Sequence, residues 1–399
     1  MEYESYIALA LAFGAMILCL WTRFRTIWDA GTAVHPAQEI IEETEGEPLA
    51  AEVPKGPKCS VIAYAQSEEE EILEWLTMAM NQDYADYEVI IVNEGSYETS
   101  VNLAERLTKL YPERLYVTFI PSDARSLSRR KLANTVGLKA AKGEVVLTTA
   151  TNCSIPSAHW ISDIMRPFAE ESGVDIVLGY THMDFSELTG PWKWYRQMSA
   201  TLTDCMWLGA AAQGRPFRGD GNNMAFRRSL FFDVKGYAKT IHLMHGDDDI
   251  FLRQIMDDNN TRLSLSSDSI LVSHWGDSAN RMLSEFKERY QFTSKFLPKW
   301  PFMLAGFSSI MQWVIVAAAV MCVAAGFLEP HWWISAASIG VLLLAFWITE
   351  ILIYRRTARR LGSVCLWWSL PWFLLWHPIG NWIFRLRRFR HFRKNYTFT

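Results

Sequence analysis

The stretch "CSVIAYAQSEEEEILEWLTMAMNQDYADYEVIIVNEG", residues 59–95, changes twice between two kinds of hydrophobic pattern. "CSVIAYA" (59–65) and "YEVIIVNEG" (87–95) are short runs rich in β-branched and aromatic residues, a composition typical of buried strands. Between them, the apolar residues of "SEEEEILEWLTMAMNQ" (67–82) recur at helical spacing. Strand, helix and strand in this order predict a parallel βαβ unit.

The same alternation continues downstream. "SVNLAERLTKLYP" and "RKLANTVGLKAAK" have helical periodicity, whereas "LYVTFIP" and "EVVLTTATN" are strand-like. The pattern predicts an α/β domain with a mostly parallel sheet and helices on both faces. In such sheets ligands bind beyond the carboxyl ends of the strands. The polar residues at those ends are Ser67, Glu68, Asn93, Glu94, Thr149, Thr151 and Asn152.

Long apolar runs lie at both ends of the chain. "SYIALALAFGAMILCLW" (5–21) is uncharged and long enough to cross a bilayer. Because it follows Glu2 and Glu4 and precedes bulky residues, it is typical of a retained anchor rather than a signal peptide. The runs 307–328 and 332–354 predict a transmembrane hairpin. Lys and Arg flank the inner ends of these spans, so we expect the middle of the chain to be cytosolic.

The last apolar segment, "LGSVCLWWSLPWFLLWHPIGNWIF", contains two prolines and precedes the basic "RLRRFRHFRKNY". A fourth span would place that basic tail outside, so an interfacial or re-entrant segment is favoured. The predicted domains are an anchor at 1–25, a linker at 26–57, a cytosolic domain at 58–301, a transmembrane hairpin at 302–356, and a Trp-rich segment with a basic cytosolic tail at 357–399.

Overall composition excludes some function classes. The six cysteines include no CxxC pair, which argues against a zinc site or a disulfide framework. The net charge of −4 gives no indication of a nucleic-acid partner. The membrane is the partner that the sequence predicts most directly.

Several ordered motifs between about residues 58 and 301 resemble those of the family 2 glycosyltransferases in their membrane-anchored bacterial form. They include "QDYADYEVIIVNEGS", "GDGNNMAFRRSLF" and "GDDDIFLRQ". The resemblance implies a GT-A fold, which is a Rossmann-like nucleotide-diphospho-sugar transferase domain. It also implies a nucleotide-sugar donor, inversion at the anomeric carbon, and a carboxylate that deprotonates the acceptor hydroxyl.

The resemblance assigns roles on the acceptor side. In "GDDD" (246–249) it makes Asp248 the catalytic base, preceded by Asp247. Taken without that context, adjacent acids are also typical of a solvated helix N-terminus. In "GDGNNMAF" the resemblance implies that Gly219 and Gly221 let the backbone approach the bound sugar, with Asn223 near the substrate.

On the donor side the motifs differ from the family pattern. Relatives end the fourth strand in Asp-x-Asp, whose carboxylate holds Mg²⁺ or Mn²⁺ against the donor diphosphate. Here Thr149 and Thr151 stand at those positions, and a neutral hydroxyl is a poorer ligand. Asn93 and Glu94 replace an Asp pair. Ser67 replaces an Asn, although Glu68 keeps its acid.

Three interpretations of the altered donor motifs remain open. The chain is an enzyme that holds a divalent metal weakly through Asp247 and Glu94. Alternatively, it is an enzyme that needs no metal, because a basic cluster stabilises the leaving diphosphate. This cluster consists of Lys131 with Arg125, Arg129 and Arg130. In the third interpretation it is a catalytically silent glycan-binding, nucleotide-binding or assembly subunit. The intact "GDDD" motif argues against a silent subunit.

Two further residues complete the candidate site. His274, in "LVSHWGDS", is a possible metal ligand, although a lone His beside Trp275 is more often packed or hydrogen-bonded. Arg289, in "FKERYQF", occupies the place of the Arg in the "Q-x-x-R-W" motif of processive relatives and is assigned to acceptor binding. The change to Arg-Tyr argues against processive synthesis. We expect a lipid-linked or polysaccharide acceptor at the bacterial inner membrane, with other glycosyltransferases as possible partners.

Overall fold

The computed structural model describes residues 2–33, 56–66, 69–95, 97–121, 128–326, 332–363 and 366–394. The strands are β1 (Cys59–Ala65), β2 (Tyr87–Gly95), β3 (Leu115–Pro121), β4 (Val145–Ala150), β5 (Cys153–Ser154), β6 (Ile176–Leu178), β7 (Thr181–Met183), β8 (Met224–Arg227), β9 (Thr261–Leu263) and β10 (Leu271–Ser273). The helices are α1 (Glu2–Arg23), α2 (Asp29–Thr32), α3 (Glu69–Met80), α4 (Tyr97–Leu110), α5 (Arg129–Ala140), α6 (Trp160–Glu170), α7 (Lys193–Ala212), α8 (Arg228–Asp233), α9 (Asp249–Ile255), α10 (Ala279–Thr293), α11 (Trp300–Gly326), α12 (Trp332–Arg360) and α13 (Leu370–Lys394).

The chain divides into two compact units. A helical unit comprises Met1–Thr32, Gly190–Gln213 and Pro298–Phe389, and a sheet unit comprises Ala33–Thr189, Gly214–Leu297 and Arg390–Thr399. The predicted domain 58–301 is therefore not continuous, because the segment around α7 belongs to the helical unit. The hydrophobic pattern did not predict this, because α7 contains the charged residues Lys193, Arg196 and Asp204 and no long apolar run.

The sheet unit contains a seven-stranded sheet with the order β3-β2-β1-β4-β8-β6-β9. Its first four strands are parallel, and β8 runs antiparallel to both neighbours. The expected α/β fold with a mixed, mostly parallel sheet is confirmed. Ala65 is level with Asn93, and Ala63 is level with Thr149, so the carboxyl ends of the central strands meet at one edge.

Both faces of this sheet are covered, which explains the nearly unbroken apolar strands. Every residue of β1 is buried. Val61 belongs to the core that also contains Trp75 of α3, whereas Ile62 points the opposite way. There, a Cβ on Gly137 of α5 would lie 2.6 Å from Ile62 Cγ2. The glycine therefore lets α5 lie directly against the strands.

A small sheet of order β5-β10-β7 follows the end of β4. In it, β10 runs antiparallel to β5 and parallel to β7. The backbone N–H of His274, just after β10, donates to Asn152 O at 2.9 Å. This pairing places His274 next to the polar end of β4.

In the helical unit, the segments Glu4–Thr32, Trp300–Ala325 and Trp333–Arg360 are long and apolar enough to cross a membrane. They overlap the three predicted spans, and the first contains the whole of the run 5–21. The first extends beyond the predicted boundary at residue 25, because a π-helical turn (Phe24–Trp28) and α2 continue it.

The helices of this unit pack through small residues. Ala8, Ala12 and Ala15 of α1 join Ile315 and Ala318 of α11 in one buried cluster. Small side chains let the backbones of neighbouring membrane helices approach closely.

A buried ion pair joins α1 to α12. Arg23 Nε lies 3.1 Å from Glu350 Oε1, and both side chains are at most a tenth exposed. Gln312 of α11 donates to the same carboxylate at 3.2 Å. Charges in an apolar helix bundle are costly unless they are paired, so this contact fixes the three helices relative to one another.

The segment around α7 packs against helices from both ends of the chain. A Cβ on Gly209 would lie 2.2 Å from Thr26 O, and the rings of Tyr195 and Phe373 are 5.2 Å apart. Most of the predicted Trp-rich segment forms the helix α13. Its interfacial placement stays a prediction, which the exposure of Trp372 and Trp382 supports.

Candidate active site

The acidic motif is a buried turn. Gly246 has a φ of +93°, which favours glycine and turns the chain into α9. Asp248 is the N-cap of this helix, and its side chain accepts a hydrogen bond from Asp249 N at 2.6 Å. Asp247, Asp248 and Asp249 are 2%, 7% and 0% exposed. A merely solvated helix N-terminus is therefore excluded.

Arg289 of α10 binds the predicted base. Its Nη2 contacts Asp248 Oδ2 directly and lies 3.6 Å from Asp247 Oδ1. Burial disfavours the ionised carboxylate, but the charge and hydrogen bond of Arg289 hold the pKa of Asp248 well below its usual range. Asp248 is thus ionised at neutral pH. Arg289, the residue predicted to bind the acceptor, is the direct partner of the predicted base.

A second ion pair, between Arg218 and Asp249, holds the acidic motif in place. Arg218 contacts Asp249, donates to Thr293 Oγ1 at 2.8 Å, and stacks 4.0 Å from the ring of Tyr290. The Arg-Tyr dipeptide of α10 therefore serves both pairs, since Arg289 binds Asp248 and Tyr290 packs on Arg218. Sequence patterns alone did not identify Arg218 or Asp249, because their pairing joins distant segments.

Arg130 of α5 reaches the other side of Asp247. Its Nε lies 3.1 Å from Asp247 Oδ2, and its Nη2 donates to Gly221 O at 3.1 Å and also contacts Asn222 Oδ1. Its guanidinium lies 5.9 Å from the ring of Tyr64, in β1. Arg130 thus connects the strand ends, the glycine-rich loop and the acidic motif.

Glu94, at the end of β2, is also engaged by neighbours. It accepts hydrogen bonds from Tyr64 and Arg129, and from Gln66 Nε2 at 2.8 Å. Burial and the hydrogen bond to Glu94 raise the pKa of Tyr64, so the phenol remains a donor. The adjacent Asn93 is buried in β2. Glu94 therefore lies at the strand ends, as predicted, but its carboxylate is already paired with the guanidinium of Arg129.

Thr149 and Thr151 lie where the strand ends meet. They are 2% and 5% exposed, and Thr151 N donates to Tyr64 O at 3.1 Å. Among the residues that the structure describes, Thr149 Oγ1 is a buried oxygen without a hydrogen-bond partner. Such an atom is costly unless a ligand or water satisfies it.

These residues do not fit the divalent metal that the fold family implies. Within the described ranges, no group of three or more His, Cys, Asp or Glu side chains is arranged to hold a metal ion. Asp247 and Glu94, the acids expected to hold a metal weakly, are each paired with arginine. A hard cation prefers several carboxylate oxygens, and the two threonines supply none.

His274 was the remaining candidate metal ligand. Its Nδ1 lies 3.1 Å from Asp184 Oδ2, and its Nε2 lies 2.9 Å from Ser154 Oγ. Both ring nitrogens therefore have protein partners, which agrees with the hydrogen-bonded alternative, although half of the side chain is exposed.

Lys131 does not face the strand ends. It is 4% exposed, and its Nζ donates to Thr240 O at 2.6 Å and to Leu243 O at 2.9 Å. Burial lowers the pKa of Lys131 to about 8. The residue predicted to face the diphosphate instead holds the loop that precedes the acidic motif.

The two predicted glycines of the glycine-rich loop lie against different side chains. A Cβ on Gly219 would lie 2.5 Å from Leu252 Cδ1, whereas a Cβ on Gly221 would lie 2.9 Å from Asp248 Cβ. Gly221 therefore adjoins the candidate base, but Gly219 is required by packing.

Asn223, expected near the substrate, is fully buried. Its amide donates to Tyr180 O and Ser269 O and accepts from Trp160 Nε1. All of these contacts hold the fold together. Ser67, Glu68 and Arg125 lie outside the described residues.

Comparison with solved structures gives two relevant similarities. A mannosyltransferase from Pyrobaculum calidifontis, solved with GDP-Man and Mn²⁺, is 17% identical, with 89% of this chain and 98% of that chain covered and a TM-score of 0.49. Glucosyl-3-phosphoglycerate synthase from Mycobacterium tuberculosis, solved with Mn²⁺, UDP and phosphoglyceric acid, is 16% identical, with coverage of 59% and 78% and a TM-score of 0.35. At this similarity no residue is transferred from either structure.

Sequence comparison is more decisive. No curated protein matches the chain. The family model of "Glycosyl transferase family 21" matches residues 33–384, which include the sheet, the acidic motif and two of the three candidate spans. The resemblance to family 2 was thus correct at the level of a GT-A glycosyltransferase, and the family 2 label stays a prediction. This chain belongs to glycosyl transferase family 21.

Proposed function

We propose that this protein is an inverting glycosyltransferase with Asp248 as the catalytic base. It moves a sugar from a nucleotide-sugar donor to a lipid-linked or polysaccharide acceptor at the cytosolic membrane face. The observation that carries the proposal is the buried, ionised Asp248, which Arg289 holds beside the backbone of Gly221. A solvated surface acid would need no such environment.

In the proposed reaction this carboxylate is the proton acceptor. Asp248 accepts the proton of the acceptor hydroxyl while that oxygen forms a bond to the anomeric carbon. The bond between the anomeric carbon and the phosphate oxygen breaks, and the nucleoside diphosphate leaves with the electron pair. Attack opposite the leaving group inverts the anomeric configuration.

The membrane helices support the proposed acceptor class. Candidate spans lie before and after the residues that form the seven-stranded sheet, and basic residues at their inner ends favour a cytosolic sheet unit. A protein anchored in this way meets lipid-linked acceptors in the bilayer, such as precursors of cell-envelope polysaccharides. A hexose donor, membership of family 2, a bacterial inner-membrane location and partner glycosyltransferases belong to the same proposal.

The test is transfer by the full-length protein in lipid nanodiscs. Radiolabelled nucleotide sugars are supplied with a bacterial lipid extract, and the organic and aqueous phases are counted separately. We expect label in the lipid phase that depends on the protein. Asp258→Asn, which alters an exposed acid of the same unit, is the matched control and should retain activity. Label confined to free sugar with every donor would contradict the proposal.

A further inference from the structure

The donor side of the site lacks the carboxylates that would hold a metal, yet it contains polar atoms with unmet bonding capacity. Thr149 Oγ1, Arg130 Nε and Asp247 Oδ2 are buried and have no hydrogen-bond partner among the described residues. The last two lie 3.1 Å apart, but they are not aligned for a hydrogen bond. Their attraction is ionic, and the guanidinium retains hydrogen-bonding capacity that this contact does not use.

Arg130 is close to the end of β4, where the Asp-x-Asp motif of relatives has its carboxylates. Gly221 O accepts hydrogen bonds from both Arg130 Nη2, at 3.1 Å, and Thr148 Oγ1, at 3.0 Å. Thr148 directly precedes Thr149 in the strand. The shared carbonyl therefore places the guanidinium beside the strand end where relatives have carboxylates.

The side chain of Arg130 also remains accessible. A fifth of it is exposed, although Nη2 already contacts Gly221 O and Asn222 Oδ1. Lys131, by contrast, is 4% exposed. A guanidinium presents several N–H groups in a plane and binds two phosphate oxygens at once. It also keeps its positive charge at any physiological pH.

We infer that the guanidinium of Arg130 takes the place of the metal ion and binds the diphosphate of the nucleotide-sugar donor. This inference rests on the proposed function and specifies its donor site. Arg130 would neutralise the charge that develops on the departing diphosphate, as a metal does in relatives. Carboxylates are then not needed at positions 149 and 151, because the guanidinium of Arg130 supplies the positive charge and no metal ion has to be held there.

The experiment measures ligand binding rather than turnover. UDP, GDP, ADP, CDP and dTDP are titrated into the full-length protein in nanodiscs by calorimetry, once with EDTA and once with Mn²⁺. The inference predicts that the preferred nucleotide binds with the same affinity, within about twofold, under both conditions. Arg130→Gln should weaken binding by about 10- to 100-fold, and Arg130→Lys, which keeps the charge, should weaken it less.

The matched control is Arg262→Gln, which removes a partly exposed arginine paired with Glu171 in the same unit and should leave binding unchanged. Thermal unfolding of each variant shows whether the fold is retained, and Arg130→Lys provides a readout if Arg130→Gln does not fold. Binding that requires Mn²⁺, or equal affinity for Arg130→Gln and the unaltered protein, would overturn the inference while leaving sugar transfer possible. Binding without metal but without any transfer would instead contradict the proposed function. Absence of binding under every condition would contradict both.

Discussion

Arg289 Nη2 contacts Asp248 Oδ2, which joins α10 to the N-cap of α9. The two residues are 41 positions apart in the chain, and their pair brings the acidic motif and the Arg-Tyr motif into one site. Because the pair is largely buried, it controls the ionisation of the proposed base more strongly than a surface ion pair would.

Removal of this arginine should change the pH dependence of transfer. Arg289 lowers the pKa of Asp248, and burial alone would raise it. In Arg289→Gln the pKa of Asp248 should therefore rise, and a base is active only above its pKa. We expect the acidic limb of kcat/KM to move to higher pH, as measured by transfer assays from about pH 4 to pH 8. An unchanged profile in a variant that still folds would show that Asp248 is not the base.

Gly221 should tolerate no side chain. In Gly221→Ala the new Cβ would lie 2.9 Å from Asp248 Cβ and would displace the base. We expect kcat to fall by about tenfold or more, because a small misplacement of a catalytic group is costly. Gly340→Ala is the control, since a Cβ there meets nothing within 4 Å. Similar kcat values for Gly221→Ala and the control would refute the placement of Asp248 beside this loop.

Replacement of Lys131 should lower the thermal stability of the protein. Lys131→Met leaves the carbonyl oxygens of Thr240 and Leu243 without their buried donor, at a cost of about 1–3 kcal/mol. The midpoint of thermal unfolding should fall by several degrees. Lys139→Met, on the exposed side of the same helix, should leave it nearly unchanged. Equal midpoints would show that Lys131 does not hold the loop.

The stability of the helical unit should depend on the ion pair between Arg23 and Glu350. Glu350→Leu leaves Arg23 buried without a partner, which destabilises by about 3–5 kcal/mol where a buried charge loses its partner. The double variant Arg23→Leu with Glu350→Leu should recover much of this loss. Unfolding of the full-length protein in mixed micelles by increasing detergent provides the comparison. A double variant less stable than Glu350→Leu alone would contradict this account.

Local patterns predicted the central strands well. The runs 59–65, 87–95 and 115–121 are strands with the predicted bounds, because the fully buried strands of a parallel sheet produce continuous apolar runs. The helices between them begin and end within a few residues of their predicted bounds, because their apolar residues recur at helical spacing.

Side-chain direction was harder to predict. Arg130 and Lys131 are neighbours, but on a helix they point about 100° apart. One meets Asp247 and the other meets Thr240 O. Likewise, Asn223 lies in the expected loop while its amide faces the core. Such differences depend on tertiary packing, which a motif does not encode.

The most direct test of the central claim compares two properties of Asp248→Asn. The substitution removes the base but keeps the size of the side chain, so sugar transfer to the lipid phase should fall by about a thousandfold or more. Binding of the preferred nucleoside diphosphate should stay within a few fold of the unaltered protein, and Asp258→Asn should transfer normally. Transfer by Asp248→Asn at the rate of that control would contradict the claim that this protein is a glycosyltransferase with Asp248 as its base.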